Sequence, residues 1–257
     1  MFPENLSWGA LPQGYVKRTD SDGNRLIVRR ERQRELDFAT CRCESDKASG
    51  SPYHGRGAMR VFRLSDGETA VVRQYRHGGL LRAVTGQWFF TWPPRPFREL
   101  TITEELRRRG LPTVEVYAAC VSPGPRPFYR GWLVTRELRG AVDLWSALCD
   151  GFVEQFGLRA TLRAAANTIR SMHREGVYHR DLNLKNLLVR KEADRVACYV
   201  IDFDRAALCV GVLPDQLAAR NLNRLLRSAR KLDPERRYLT ASAWNEFRQS
   251  YYENPHA

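Results

Sequence analysis

Hydrophobic residues in the first half of the chain recur in short runs that turn-forming residues separate. The runs at residues 58–64 and 69–75 flank the tetrapeptide Ser-Asp-Gly-Glu, a pattern that predicts a β-hairpin. Two further β-rich runs, 113–121 and 128–138, flank a loop rich in Pro and Gly and predict two more strands. Residues 95–109 carry spaced apolar side chains and precede a Gly and a Pro, so a helix is predicted there.

The second half of the chain shows mainly helical periodicity. Apolar residues recur at intervals of three and four over residues 158–172, with arginines at other positions, which predicts an amphipathic helix. Residues 213–232 and 244–251 repeat the pattern and predict two further helices. The short apolar runs 187–189 and 197–203 predict buried strands between polar loops.

This order of elements predicts an α+β protein with two lobes. Residues 51–139 are expected to form a β-rich N-lobe, and residues 140–257 a mainly helical C-lobe. Residues 1–50 are polar and Arg-rich with weak periodicity, and they form either an N-terminal extension or the start of the N-lobe. A chain of 257 residues with 43% hydrophobic residues can bury a core without disulfides or metals.

The chain is strongly basic, with 42 Lys and Arg residues against 29 Asp and Glu residues and a formal net charge of +13. Such a charge attracts nucleic acid, an acidic membrane surface or phosphorylated substrates. The sequence contains no helix-turn-helix, RNA-recognition or zinc-finger signature, so no nucleic acid is expected as a partner. Without an N-terminal signal or a long apolar run, we expect a soluble or peripheral protein on the cytoplasmic side.

The six cysteines form no regular framework, and most of them lie singly within apolar segments. This usage favours a reducing compartment in which the thiols stay free. Cys41 and Cys43 lie near His54, but their spacing matches no common zinc template and further ligands are missing. We therefore expect no zinc site there.

The polar groups that carry chemistry lie between apolar runs near residue 180. Asp181 follows His179 and Arg180 and precedes Asn186 by five residues, and Asp202 follows 21 residues after Asp181. This is the H-R-D-x-x-x-x-N and D-F-x spacing of the protein-kinase-like fold. The spacing indicates Asp181 as the base that orients an attacking hydroxyl, and Asn186 and Asp202 as ligands of Mg²⁺. Taken singly, these residues could also be a turn Asp, a capping Asn and a strand-end Asp.

A nucleotide site is expected in the N-lobe. Arg73 ends the run Ala-Val-Val-Arg and stands where the kinase V-A-I-K strand has lysine, and Glu99 on the predicted helix is its expected partner. Glycines before the hairpin can let backbone amides approach phosphates, and the end of the strand near residue 138 would bind adenine. The predicted ATP-binding residues are Gly55, Gly57, Arg73, Glu99, Glu137 and Leu138.

Motifs of protein kinases that this sequence lacks narrow the class of acceptor. Asp204 stands where D-F-G has glycine, no A-P-E motif follows, and only 55 residues remain after Asp202. This leaves little room for the activation segment that binds a peptide substrate. A small-molecule or lipid-linked hydroxyl is therefore the better acceptor.

Several stretches of the sequence resemble the lipopolysaccharide core kinases, and within them the branch that phosphorylates 3-deoxy-D-manno-octulosonic acid (Kdo). The resemblance extends over about residues 50–250. The stretches that carry it are 73–81, 88–90, 98–100, 178–183, 201–205 and 221–228. The resemblance implies a protein-kinase-like fold, ATP and Mg²⁺ as cofactors, Asp181 as the catalytic residue and Asn186 and Asp202 at the magnesium positions.

The resemblance also implies an acceptor and a location. The expected acceptor is the 4-OH of Kdo attached to lipid A, and the expected location is the cytoplasmic face of the inner membrane of a Gram-negative cell. The chain would contact that anionic membrane peripherally. The apolar residues of segment 80–92 could insert into it or pack in the core, and the arginines of segment 220–231 more often face solvent.

Other functions stay open at this point. Arg180 differs from the small residue typical of Kdo kinases, and Lys185 lies near the same loop, so the acceptor could instead be a heptose, an aminoglycoside or a protein. The alternative of a basic nucleic-acid-binding protein is supported by the net charge alone. A pseudokinase scaffold is disfavoured because Asp181, Asn186 and Asp202 are all present.

Overall fold

The computed structural model describes residues 9–42, 59–76 and 86–253. The chain forms two compact units. The first comprises Met1–Glu105 and Val114–Glu137, and the second comprises Leu106–Thr113 and Leu138–Ala257.

The first unit is built on a six-stranded antiparallel sheet in the order β1-β2-β5-β6-β4-β3. The β3–β4 hairpin and the adjacent β5–β6 pair confirm the predicted strands. The β1–β2 hairpin lies in the N-terminal region whose structure the sequence left open. The strands are β1 (Tyr15–Thr19), β2 (Arg25–Arg29), β3 (Met59–Arg63), β4 (Thr69–Gln74), β5 (Val116–Pro123) and β6 (Tyr129–Arg136). The helices are α1 (Phe38–Arg42) and α2 (Arg95–Arg108), and a 3-10 turn covers Arg30–Arg32.

Both faces of this sheet are buried at its central strands, such as β2. Successive residues of β2 point to opposite faces, so Leu26 joins the cluster that includes Cys41 of α1, and Ile27 joins the cluster that includes Phe97 and Leu100 of α2. All five of these side chains are fully buried. A strand covered on both faces reads as a continuous apolar run, which is why β2 lacks the alternation typical of a half-exposed strand.

The aromatic segment before α2 is divided between core and surface where the structure describes it. Phe89 is buried and forms a backbone bridge with Tyr129, and its ring contacts those of Tyr75 and Tyr129. Phe90 is exposed and contacts Phe128. For Phe89, the core interpretation therefore holds. Leu80, Leu81 and Val84, which were considered with it as membrane contacts, lie outside the described residues.

The second unit combines helices with two small antiparallel sheets, of order β10-β9-β7 and β11-β8. Its strands are β7 (Val142–Asp143), β8 (Val177–Tyr178), β9 (Leu187–Glu192), β10 (Arg195–Val200) and β11 (Ala207–Leu208). Its helices are α3 (Leu144–Cys149), α4 (Phe152–Phe156), α5 (Leu158–Arg174), α6 (Asp215–Leu232) and α7 (Ala241–Tyr252), with 3-10 turns at Leu184–Asn186 and Phe203–Arg205. The predicted α+β composition, with sheet first and helices later, is confirmed.

The long helices of this unit are amphipathic, as predicted. Helix α5 buries Leu162, Ile169 and Met172 and packs against α7 and β10. Helix α6 buries Leu222 and Leu225, and most of its basic residues are exposed. Among the described residues, no helix is both long enough and apolar enough to cross a membrane.

A glycine ends α5 and lets a later loop approach it. Gly176 has a φ of +72° and its N–H donates to His173 O at 3.0 Å. Its carbonyl oxygen accepts the N–H of Cys209 at 2.8 Å, and His173 O also accepts the N–H of Leu213 at 2.8 Å. A Cβ atom at residue 176 would overlap the backbone carbonyls of Gly211 and Cys209. Only glycine fits both the conformation and the space.

Replacing Gly176 by alanine should destabilise the protein by about 2–4 kcal/mol, because the new methyl group meets fixed backbone at a left-handed residue. Gly67→Ala is the matched control. Gly67 has a φ of +83° with open space around it, so only the conformational cost of about 1 kcal/mol should appear. Urea unfolding of both variants measures the difference, and equal losses would contradict the packing argument.

Candidate active site

Three predicted polar residues meet at the ends of short strands in the second unit. Asp181 follows β8, Asn186 precedes β9 and Asp202 follows β10. The Nδ2 of Asn186 donates to Asp181 O at 2.8 Å, and the N–H of Ile201 donates to Asn186 O at 3.0 Å. The structure therefore brings Asp181, Asn186 and the residue before Asp202 into one hydrogen-bonded group.

A buried histidine joins the segments that carry the two aspartates. The Nδ1 of His179 accepts the N–H of Asp181 at 3.2 Å, and its Nε2–H donates to Ile201 O at 3.0 Å. Its ring lies 5.3 Å from the ring of the buried Phe203. This pattern requires a neutral imidazole with its proton on Nε2. Burial lowers the pKa of His179 below its ordinary value and keeps the ring neutral.

Helix α6 holds the same loop from the other side. The side-chain amide of Asn221 binds the backbone of His179 twice, with Oδ1 accepting its N–H at 3.2 Å and Nδ2 donating to its carbonyl at 2.8 Å. Seven residues later, the Oγ of Ser228 accepts the N–H of Leu184 at 3.4 Å. Sequence analysis assigned neither residue a role. Two signals pointed to them: both lie in the stretch 221–228 that carries the family resemblance, and both are polar on the apolar face of a helix, at positions aligned with Leu225.

Asp202 adopts a left-handed backbone conformation, with φ +69° and ψ +60°. Such a conformation costs about 1 kcal/mol or more in a non-glycine residue, and surrounding structure must maintain it. The next residue, Phe203, is fully buried beside His179, and this contact supplies the constraint. The turn separates the direction of the Asp202 side chain from that of the buried Phe203.

The donor set fits one hard cation. The amide nitrogen of Asn186 is bound to Asp181 O, which leaves its side-chain oxygen as the ligand atom. Asp202 adds a half-buried carboxylate on the neighbouring segment. No group of three or more His, Cys, Asp or Glu side chains that could hold a metal occurs in the described part of the chain. An amide oxygen and one carboxylate suit Mg²⁺, which takes its other ligands from phosphates and water.

In the first unit, the structure brings Arg73 of β4 and Glu99 of α2 together. The Nη2 of Arg73 lies 2.6 Å from both carboxylate oxygens of Glu99, which is almost completely buried. Tyr75, the residue that directly follows β4, donates its hydroxyl hydrogen to Glu99, and its ring lies 4.8 Å from the Arg73 guanidinium carbon. Tyr75 was not predicted as a site residue: it lies in the stretch 73–81 that carries the family resemblance, but its residue type alone does not distinguish it from a core tyrosine.

A second ion pair fixes the same helix. The Nη2 of Arg29 on β2 lies 2.7 Å from Glu104, and the other oxygen of Glu104 accepts the N–H of Val116 at 2.8 Å. Helix α2 is therefore tied to the sheet at two acidic residues, one on each of two successive turns. The residues of the N-terminal hairpin thus help to fix the orientation of Glu99.

The remaining predicted nucleotide-binding residues are less well placed. The N–H of Glu137 donates to Thr69 O at 2.8 Å within the sheet, and Leu138 O accepts the N–H of Ala141 at 3.0 Å. The amide of Glu137 is therefore already engaged, and the adenine contacts there remain a prediction. Gly55 and Gly57, like Cys43 and His54, lie outside the described residues.

The comparisons with known proteins agree on one family. The sequence profile of the lipopolysaccharide kinase (Kdo/WaaP) family matches residues 44–251. A 3-deoxy-D-manno-octulosonic acid kinase of Xylella fastidiosa (strain 9a5c) is 35% identical over 187 residues, covering 71% of this chain and 70% of that protein. The kinase of the same name from Pasteurella multocida (strain Pm70) is 31% identical over 182 residues, covering 69% and 73%.

A comparison with solved structures shows the same fold. The chain in "WaaP in complex with acyl carrier protein" is 23% identical, with a TM-score of 0.56 and coverage of 90% of this chain and 89% of that one. This likeness confirms the predicted protein-kinase-like fold.

A second buried histidine makes stability depend on pH. His173 on α5 is bound through Nδ1 to the Tyr251 hydroxyl at 2.6 Å and through Nε2 to Asn221 at 3.1 Å, and His179 is the other titratable group nearby. Burial lowers the pKa of His173 to about 4. In the unfolded chain its pKa is about 6.5. Below that pH the unfolded state gains a proton that the folded state does not bind.

The stabilising effect of neutral His173 should therefore be complete above pH 6.5 and decline by about 3 kcal/mol as the pH falls toward 4. His173→Gln should be less stable at pH 7 but show a shallower decline. Urea unfolding of both proteins at several pH values between 4 and 7 measures the two slopes. If stability fell with pH equally steeply in the two proteins, His173 would have the same pKa in the folded and the unfolded state.

Proposed function

Because the chain belongs to the lipopolysaccharide kinase (Kdo/WaaP) family, we propose that it transfers the γ-phosphoryl group of ATP to the 4-OH of Kdo on lipid A. Family membership makes the chain a phosphotransferase that acts on a sugar hydroxyl in lipopolysaccharide biosynthesis. The observation that supports Kdo as the acceptor is the 30–35% identity to kinases of that name over about 70% of the chain.

Asp181 is the proposed general base. Its carboxylate is exposed, while its backbone is held by His179 and Asn186, so the side chain can face a substrate from a fixed position. Asp181 would orient the acceptor hydroxyl and take its proton. The acceptor oxygen forms a bond to the γ-phosphorus, the bond from that phosphorus to the bridging oxygen breaks, and ADP leaves.

The other groups hold the nucleotide. Arg73 is proposed to bind phosphate oxygens with the guanidinium that Glu99 and Tyr75 orient. Asn186 and Asp202 would hold Mg²⁺, which neutralises phosphate charge when it is bound. Glycines 55 and 57 and the backbone at Glu137 and Leu138 complete the proposed ATP site.

The acceptor implies where the enzyme works. Kdo on lipid A is an anionic, membrane-held glycolipid, and a chain of net charge +13 is attracted to such a surface. We therefore assign the chain to the cytoplasmic face of the inner membrane, as a peripheral protein. The basic charge needs no nucleic-acid partner to explain it.

Asp181→Asn should lower kcat for phosphate transfer about a thousandfold while ATP still binds, because the amide cannot take the proton of the acceptor. Asp194→Asn, at the exposed turn between β9 and β10, is the control and should retain activity. Mass spectrometry of Kdo-lipid A incubated with ATP and magnesium reports the transfer. Retained turnover in Asp181→Asn would remove Asp181 from its role, and transfer only to heptose-containing acceptors would replace Kdo as the substrate.

Arg73→Met should raise the KM for ATP at least tenfold, because a charge-assisted hydrogen bond to phosphate is worth about 1.5–3 kcal/mol. Arg136→Met is the control, since Arg136 is an exposed arginine on the neighbouring strand β6 that pairs with Glu68. Thermal unfolding of both variants ensures that the kinetics refer to folded protein. An equal KM for Arg73→Met and the wild type would exclude Arg73 from the phosphate site.

A further inference from the structure

The loop after β11 presents apolar side chains to solvent on a fixed backbone. Val210 is fully exposed and Val212 is 67% exposed, which makes them the two most exposed large hydrophobic side chains of the described residues. Leu208 is also exposed, at 44%. Apolar residues occupy the alternate positions 208, 210 and 212, so three exposed apolar side chains lie within five residues. We call residues 208–212 the apolar loop.

Hydrogen bonds hold the apolar loop in place. Two hydrogen bonds join its backbone to the end of α5. The N–H of Cys209 donates to Gly176 O at one side, and the N–H of Leu213 donates to His173 O at the other. The carbonyls of Cys209 and Gly211 also lie directly over Gly176. Because the backbone is anchored, the two valines cannot turn inward without breaking these contacts. Exposed apolar groups on an anchored loop mark a contact surface.

The loop lies beside the catalytic segment. Ala207 pairs with Tyr178 and Leu208 with Val177, and Asp181 follows Tyr178 by three residues. At about 3.3 Å per extended residue, the proposed base lies within about 10 Å of this strand pair. The apolar loop continues from this pair toward Gly176 and His173, so a lipid that touches it would lie beside the strand pair that leads into the catalytic segment.

Positive charge flanks the apolar loop. Arg180 and Arg205 are exposed at one end of the β8–β11 pair, and Arg174 is exposed on the last turn of α5. The acids within a few residues of this surface are Asp181, the half-buried Asp202, the buried Asp204, Asp215 at the start of α6, and Glu175, which lies 3.6 Å from Arg109. Arginines around exposed aliphatic side chains are complementary to anionic head groups above acyl chains.

From these observations we propose that the apolar loop inserts Val210 and Val212 into an anionic lipid bilayer and so positions the catalytic segment at the membrane surface. The proposal rests on the proposed function only in that the acceptor is membrane-held. It differs from the contact considered for segment 80–92, because Phe89 of that segment is buried in the core.

Sedimentation with vesicles that contain no Kdo tests the loop separately from phosphate transfer. The full chain should bind vesicles of phosphatidylglycerol and phosphatidylcholine, and bind vesicles of phosphatidylcholine alone more weakly. The double variant Val210→Ser, Val212→Ser should bind the anionic vesicles at least tenfold less tightly, since it loses two buried aliphatic side chains. Tyr252→Ser, which changes another exposed hydrophobic residue, should bind like the wild type.

A second double variant distinguishes loss of membrane insertion from misfolding. Val210→Thr, Val212→Thr keeps the shape of both side chains and adds only hydroxyl groups, so a tenfold loss here reports insertion in a folded protein. Thermal unfolding of both variants provides the check. Loss of vesicle binding would support the loop even if no phosphate were transferred to Kdo-lipid A, in which case the proposed acceptor alone would fail.

Two results would overturn the proposal. The wild type could fail to bind anionic vesicles, or the variants could bind them as tightly as the wild type. In the second case, weaker binding by Phe90→Ser would move the contact to the aromatic segment. Finally, if the valine variants kept vesicle binding but lowered the molecular mass in solution, the loop would be an interface between two copies of the chain.

Discussion

One buried imidazole determines how the candidate active site is arranged. His179 has a donor and an acceptor only while it is neutral, and both are used, one by the Asp181 N–H and the other by Ile201 O. A second proton would place N–H against N–H at Asp181, and burial already disfavours the charged ring. The proposed base and the proposed metal-binding segment are therefore linked through a side chain whose two ring nitrogens are both engaged within the protein.

Helix α6 reinforces the link between the Asp181 and Ile201 segments. The side-chain amide of its residue Asn221 pairs with backbone groups that a neighbouring strand would otherwise bind. Asn221 offers the backbone of His179 one donor and one acceptor, the pattern that a neighbouring strand supplies. The Oδ1 of Asn221 also lies 3.1 Å from His173, so its buried oxygen has two partners. A fully satisfied polar group costs little within an apolar helix face, and it fixes the loop in one register.

These contacts mark the limit of what the sequence could predict. Asp181, Asn186 and Asp202 could be proposed as site residues because kinase chemistry imposes a spacing along one short stretch of chain. Asn221 contacts His179 across 42 residues, and that separation depends on how α6 packs, which no local pattern encodes. The β1–β2 hairpin was missed for a related reason. Strand β2 is buried on both faces, and β1 alternates too weakly to be distinguished from a polar loop.

Arg73 departs from the kinase pattern, which has lysine at this position, and this departure requires a second residue, Tyr75, to orient the guanidinium. Glu99 is buried, so its charge needs strong partners, and a single nitrogen of Arg73 reaches both of its oxygens. A planar guanidinium must also be held against rotation if it is to bind phosphate in a defined orientation. Tyr75 meets this need, because its ring lies beside the guanidinium and its hydroxyl donates to the same carboxylate. A lysine ammonium has no plane to stack, so a tyrosine at residue 75 could not fix its orientation in this way. Arg73, Tyr75 and Glu99 are thus one physical unit, in which the identity of each residue depends on the other two.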